Sequence, residues 1–288
     1  MRLTAFTDMF ILRTPAEMHA WSRSAHASRK SIGLVPTMGA LHAGHAQLIS
    51  QSANENNLTV VSIFVNPTQF NVAEDFDKYP RTFDADVEIA QNHGATAIYA
   101  PSAESMYPLT YRTYVEPGAS ADPMEGEGRP GHFRGVATVV VKLIHAVQPH
   151  RAYFGQKDFQ QLAVVTETIR SLDMDVAVIG APTVREPDGL ALSSRNVRLT
   201  PEAREQAPVI AQALAKTLQE FQAGERSASA LEAVARQVLE SATIGNIEYV
   251  TVCDRHTLIR SDRASEASVL CIAYWFDDVR LIDNILLP

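Results

Sequence analysis

Apolar positions along the first two-thirds of the chain fall into two alternating spacings. Three- and four-residue spacing predicts helices over 16–29, 44–56, 83–92, 136–147 and 157–172. Short apolar runs between them predict strands over 31–35, 58–65, 95–99, 151–154 and 175–179. The run Leu-Thr-Val-Val-Ser-Ile-Phe-Val from Leu58 is nearly all apolar, as a strand covered on both faces must be. Strand–helix alternation implies an α/β class, a mostly parallel sheet with helices on both sides. After about Pro182 the pattern changes. Thr200-Pro201-Glu202 reads as an N-cap, a proline at the first helical position and an acid in the first turn, opening a long helix to about Gln222. Gly224 ends it, and Ser227 or Ser229 opens a second helix to about Ser241. Runs over 247–252, 269–275 and 279–282 read as strands, with Asp277-Asp278 as a hairpin turn. Residues 1–183 and 184–288 are therefore expected to be two domains, the second a smaller α+β one.

Composition narrows the function. A length of 288 residues allows one large or two ordinary domains, and a net charge of −8 argues against a general nucleic-acid surface. Cys253 and Cys271 lie in apolar runs and read as reduced core residues. The N-terminal residues lack the charged and apolar regions of a signal peptide. The longest apolar stretch, 136–147, is broken by Lys142 and His145 and is too short to span a bilayer. The expectation is a cytoplasmic protein without nucleic-acid or membrane partners.

Candidate chemistry gathers where strands end, the rim on which open α/β sheets bind ligands. The first strand is read as stopping at Pro36, followed by Thr37-Met38-Gly39-Ala40-Leu41-His42-Ala43-Gly44-His45 at a helix start, where anions are favoured. Two imidazoles flanking a glycine can donate to phosphate oxygens. After the strongest strand comes Asn66-Pro67-Thr68-Gln69, whose amides suit a small polar substrate. Gly155-Gln156-Lys157-Asp158 precedes another helix and carries one of only five lysines, and Gln161 shares a helix face with Asp158. Leu192-Ser193-Ser194-Arg195 can clamp phosphate through hydroxyls and a guanidinium. Asp75, Asp77, Asp84, Asp86 and Glu88 form an acidic stretch in which Asp86 is the candidate metal contact. Asp122, Glu125 and Glu127 read as part of a Pro/Gly-rich surface loop.

His-x-Gly-His after a strand resembles the signature of the adenylyl-transfer superfamily. Further segments match one family in order: Val61 to Phe70, Tyr79-Pro80-Arg81-Thr82, Pro130 to Val136, Phe154 to Gln161 and Asp188 to Asn196, with a weaker echo at Arg280 to Asn284. Together they resemble the pantoate–β-alanine ligases. The resemblance implies a Rossmann-like first domain, a smaller lid domain, commonly a homodimer, and ATP, (R)-pantoate, β-alanine and Mg²⁺ as substrates and ion. It places ATP on Met38, Gly39, Ala40, Leu41, His42, Ala43, Gly44, His45, Gly155, Lys157, Asp158, Val184, Leu192, Ser193, Ser194 and Arg195. It places the small substrates on Gln69 and Gln161, beside which Asn66 stands at the rim. His45, His42, Lys157 and Arg195 are the catalytic candidates. The family usually has Glu where this chain has Gln156. Two alternatives stay open: a nucleotidyltransferase acting on a phosphate acceptor, and a non-catalytic nucleotide-binding protein.

Overall fold

The computed structural model describes residues 9–71 and 76–288. Asp75 lies outside them. Chain contacts divide into two units: 1–117, 129–155 and 165–181 form the first, and 118–128, 156–164 and 182–288 the second. The second thus takes in two short segments from before residue 182.

The first unit holds a six-stranded parallel sheet. Its strands are β1 (Phe10–Leu12), β2 (Ile32–Thr37), β3 (Leu58–Ile63), β4 (Ala97–Tyr99), β5 (Arg151–Gly155) and β6 (Ala177–Ala181), in the order β1-β4-β3-β2-β5-β6. The sequence pattern missed β1, which is only three residues long and pairs with β4. The main helices are α1 (Pro15–Ala27), α2 (Ala43–Glu55), α3 (Phe83–Asn92), α4 (His132–Val147) and α5 (Phe159–Ser171), of which 159–164 are counted with the second unit. The path from β1 to β2 crosses the sheet one way and that from β2 to β3 the other. Right-handed connections then put α1 and α2 on opposite faces. α1 starts at a capping box in which the Thr14 hydroxyl accepts from the Glu17 N–H and Glu17 accepts from the Thr14 N–H. Val35, Val61, Ile98, Ile49 and Tyr153 form the core.

Pro36 does not stop its strand. β2 continues to Thr37, with Pro36 opposite Ser62 of β3. The Ile32 carbonyl bonds His150 on the β5 side and the Thr37 carbonyl bonds Phe64 on the β3 side. Alternation makes Pro36 face β5, where pairing ends at Leu34 opposite Ala152. Its missing N–H therefore costs no ladder bond. This is also the place where the strand order reverses, between β2 and β5, so a crevice opens beyond their carboxyl ends.

In the second unit the expected long helix after Thr200 is two helices, α6 (Pro201–Gln206) and α7 (Val209–Gln222), because Pro208 interrupts it. Thr200 caps α6 as its sequence implies, its hydroxyl accepting from the Ala203 N–H at 3.2 Å. Ser227 caps α8 (Ala228–Leu239). An antiparallel sheet follows: β7 (Asn246–Asp254), β8 (Ser268–Phe276) and β9 (Val279–Leu287). Phe276 pairs with Val279, which makes Asp277-Asp278 a two-residue hairpin turn, with Asp277 at φ 51°. Leu214, Leu231, Leu270 and Phe276 form the core of this unit. Cys253 and Cys271 are buried free thiols. Among the described residues no helix is long and apolar enough to cross a membrane.

Candidate active site

The loop from β2 to α2 is held from below by one carboxylate. Gly39 and Ala40 both take left-handed backbone conformations, at φ 85° and 51°. That bend turns successive N–H groups the same way. Asp86 on α3 collects them: its oxygens accept from the Ala40 N–H at 3.0 Å, the Leu41 N–H at 2.8 Å and the Thr82 hydroxyl at 3.2 Å. A Cβ on Gly39 would stand 2.9 Å from Asp86 Oδ2, so the approach needs glycine. Asp86 is 1% exposed. Its oxygens are filled by the loop, which makes it a positioning residue and removes it as a metal ligand.

His42 is the N-cap of α2 and His45 the third residue of the helix, and they cap it reciprocally. His42 Nδ1 accepts from the Gly44 N–H at 3.1 Å, and His45 Nδ1 accepts from the His42 N–H at 3.3 Å. A neutral imidazole that accepts at Nδ1 carries its proton on Nε2. The helix backbone thus selects one tautomer in both rings, whose centroids are 4.2 Å apart. A His-x-x-His capping box sets both rings beside a helix start that favours anions.

The turn after β3 carries the rim amides. Asn66 is 1% exposed. Its Nδ2 donates to Gln69 Oε1 at 3.0 Å and the Gly135 carbonyl at 3.1 Å, and its Oδ1 accepts from the Tyr107 and Thr68 hydroxyls at 2.8 and 2.9 Å. Burial pushes the Tyr107 phenol up to about 12, which keeps it a donor. Asn66 has both hydrogens committed, and one of them fixes the amide of Gln69. With Oε1 held by Asn66 and Nε2 donating to Met38 Sδ at 3.1 Å, Gln69 is tied to the β2–α2 loop. His132 Nδ1 donates to the Gln69 carbonyl at 2.8 Å.

Gly135 explains the Pro130–Val136 segment, to which the sequence reading gave no role. A Cβ there would sit 2.4 Å from the Thr68 carbonyl oxygen and 2.7 Å from the Gln69 nitrogen. Helix α4 packs backbone against backbone on the turn. Gly135→Ala is therefore expected to cost about 1–3 kcal/mol of stability by overpacking. Because the displaced atoms are the backbone of Gln69, it should also raise the KM for pantoate if the role expected for Gln69 holds. Chemical denaturation and steady-state kinetics check the pair, and an unchanged KM would separate Gly135 from the site.

Gly155 ends β5 in the first unit, paired with Ala181. Lys157, Asp158 and Gln161 belong to the second unit, at and after the turn into α5. Lys157 and Gln161 are half-buried and Asp158 is exposed. The neighbouring Gln160 is consumed structurally: it donates to the Ser120 and Pro123 carbonyls and accepts from the Glu125 N–H. Val184 and Leu192 to Arg195 lie on a braced hairpin. The Val184 carbonyl accepts from the Leu192 N–H at 2.9 Å, Arg185 bridges Ala191, and Arg204 binds Glu186 and Asp188. The Ser193 hydroxyl accepts from the Arg195 N–H at 3.2 Å, while Ser194 and Arg195 are exposed.

The surface-loop reading holds for Asp122 and Glu127, which are exposed, and fails for Glu125. Glu125 is 7% exposed, and Arg280 of β9 binds both its oxygens at 2.8 and 2.6 Å. Its partners lie too far along the chain for any local pattern to have shown them. Among the described residues no three His, Cys, Asp or Glu side chains gather as metal ligands. With Asp86 filled as well, the described residues do not fit a protein-built metal centre.

A Rossmann-ordered sheet with a two-histidine helix start at its switch point defines a class of nucleotide-binding α/β enzymes. Comparison narrows the class. A family profile described as Pantoate-beta-alanine ligase matches residues 10–286. The chain is 48% identical to the pantothenate synthetase of Chloroflexus aggregans, covering 97% of this chain and all of that protein. It is 46% identical to that of Geobacter sulfurreducens, over 97% and 99% of the two chains. The crystal structure of pantothenate synthetase from Thermus thermophilus superposes with a TM-score of 0.91 at 41% identity, over 97% of this chain and 99% of that one. That of pantoate-beta-alanine ligase from Francisella tularensis, complexed with beta-gamma ATP and beta-alanine, gives 0.77 at 32%, over 97% and 98%. The chain belongs to the pantoate–β-alanine ligase family.

Proposed function

We propose that this enzyme condenses (R)-pantoate with β-alanine at the expense of ATP, giving pantothenate, AMP and pyrophosphate. A carboxylate resists attack by an amine because its oxygen is a poor leaving group. In the proposed first step a pantoate carboxylate oxygen attacks the α-phosphorus of ATP and pyrophosphate leaves. In the second, the β-alanine amine attacks the acyl carbon of pantoyl adenylate, AMP leaves with the C–O bond electrons, and the amine gives up its proton. The protein's share is positioning and charge stabilisation.

The observation that carries this reading is the reciprocal cap of His42 and His45, which fixes the orientation of two imidazoles at a helix start. In the proposal ATP is bound by Met38 to His45, Gly155, Lys157, Asp158, Val184, Leu192, Ser193, Ser194 and Arg195, and residues 184–288 are a lid domain. Gln69 and Gln161 take pantoate, and Gln69 also meets β-alanine. His45, His42, Lys157 and Arg195 stabilise the charge that develops on phosphate. Mg²⁺ enters as the ion of ATP itself, held by phosphate oxygens. A cytoplasmic homodimer completes the proposal.

The uncharged amide of Gln69, held at the rim by Asn66, favours an acceptor without phosphate over the nucleotidyltransferase alternative. Incubation with ATP, pantoate and β-alanine is expected to yield pantothenate, AMP and pyrophosphate in equal amounts. Exchange of labelled pyrophosphate into ATP should require pantoate and not β-alanine. Exchange that ignores pantoate, or no product with all three substrates, would rule the proposal out.

A further inference from the structure

Asn284 lies on β9, 127 positions from Lys157, and is 5% exposed. Its Nδ2 donates to the carbonyls of Gln156 and Lys157, both at 2.9 Å. These carbonyls precede α5 and fall outside its ladder, whose first bond runs from the Leu162 N–H to the Asp158 carbonyl. A carbonyl outside a ladder takes its hydrogen bond from another donor, here a side-chain amide. The Gln156 carbonyl lies in the peptide plane before the Lys157 Cα and the Lys157 carbonyl in the plane after it. One amide group therefore pins both planes and, with them, the direction in which the Lys157 side chain leaves the backbone.

The rest of Asn284 is arranged around that task. Its backbone N–H donates to Asp283 Oδ1 at 2.8 Å, and Asp283 is itself held by a two-pronged bond from Arg185. Its Oδ1 is buried without a hydrogen-bond partner. An unmade buried bond is unfavourable. Turning the amide over would satisfy Oδ1 no better and would set oxygen against two carbonyls. The orientation is thus dictated by the Lys157 turn. Aspartate has the same shape and no donors, so it cannot substitute.

We infer that Asn284 is a positioning residue for Lys157: its amide holds the turn that presents this lysine to ATP phosphate. The inference rests on the proposed function for the role of Lys157 and is specific about how that role is maintained.

The experiment is a double-mutant cycle of Asn284→Ala and Lys157→Ala, with Asn284→Asp as the isosteric control. It is read both as ATP affinity by calorimetry and as the rate of pyrophosphate exchange. Misplacing a reacting group by about an ångström can cost about a hundredfold. Asn284→Ala and Asn284→Asp are expected to lower the exchange rate by about tenfold to a hundredfold and to weaken ATP binding. The KM for β-alanine should stay unchanged. In the Lys157→Ala background the further loss should shrink to less than about twofold, since nothing remains to position. A loss that persists in full in that background marks Asn284 as merely structural and overturns the inference. So do single variants with wild-type affinity and rate. Wild-type protein that binds ATP but makes no pantothenate would count against the ligase reading alone, and the cycle in ATP affinity would still decide the role of Asn284. Melting temperatures of all the proteins identify variants that lose the fold, for which Asn284→Ser is the milder replacement.

Discussion

His45→Ala is expected to lower kcat for pantothenate formation by about a hundredfold to a thousandfold, about 2.7–4 kcal/mol, the usual effect of removing one preorganised donor to a developing anion. The substitution also removes a helix cap, since His45 Nδ1 accepts from the His42 N–H. Loss of a cap costs about 0.5–2 kcal/mol of stability. The two effects can be parted by His45→Asn. Asparagine Oδ1 stands where imidazole Nδ1 stood and can accept the same N–H, but no donor reaches as far as Nε2. Stability should therefore return in His45→Asn while the rate stays low. Recovery of the rate along with the cap would reduce His45 to a structural residue and leave the phosphate chemistry to other groups. Denaturation curves and single-turnover rates on the same preparations provide the answer.

Arg280→Leu is expected to destabilise the second unit by about 3–5 kcal/mol, the range for breaking a buried pair by removing one partner. The Arg280 side chain is 18% exposed and the Glu125 side chain 9%. It binds both oxygens of Glu125 and both of Glu248. Glu125 also accepts from the Tyr249 hydroxyl at 2.9 Å, and Glu248 from the Trp275 indole at 2.5 Å. Burial and the neighbouring Glu125 push the Tyr249 phenol up, so it remains a donor. Removing the guanidinium leaves two acids without their shared cation, one of them deeply buried. Arg280→Lys should rescue little, because an ammonium cannot fork to two carboxylates. Calorimetric melting and denaturant unfolding test this. A loss under about 1 kcal/mol would mean that the acids relax to solvent. The network also carries a pH signature. Hydrogen bonding from Arg280 holds the Glu248 carboxyl below its usual value, against burial, which raises it. A depressed carboxylate stabilises the fold above its unfolded value and loses that contribution as pH falls through the folded one. The stability difference between wild type and Glu248→Gln should therefore narrow below about pH 4.5.

Both predictions involve residues that differ in how readily the sequence shows them. His42 and His45 are three apart at a strand-to-helix change, and the geometry that fixes their tautomers is a property of that helix start alone. The same holds for the Thr200 and Ser227 caps and the Asp277-Asp278 hairpin. Glu125 looked like one more acid in a Pro/Gly-rich stretch, because its partner on β9 is 155 residues away. Asp86 reads in the sequence as the candidate metal contact of an acidic stretch, yet its burial and its three donors decide that it shapes the β2–α2 loop. Asn66 and Gln69 both read as rim amides, and only their mutual bond separates the holder from the held.

By itself the sequence determined the alternation of strands and helices, most of their ends, the order of the candidate loops and the family these loops resemble. Each of these depends on side-chain periodicity, caps and turns within a few residues. The tertiary structure decided that Pro36 stays in its strand because its partner on one side has ended. It decided that Gly135 lets α4 touch the Gln69 turn, and that Asn284 holds the carbonyls around Lys157. The physical reason is that a buried polar group is defined by the partner that satisfies it, and folding brings that partner from a distance along the chain at which no local pattern survives.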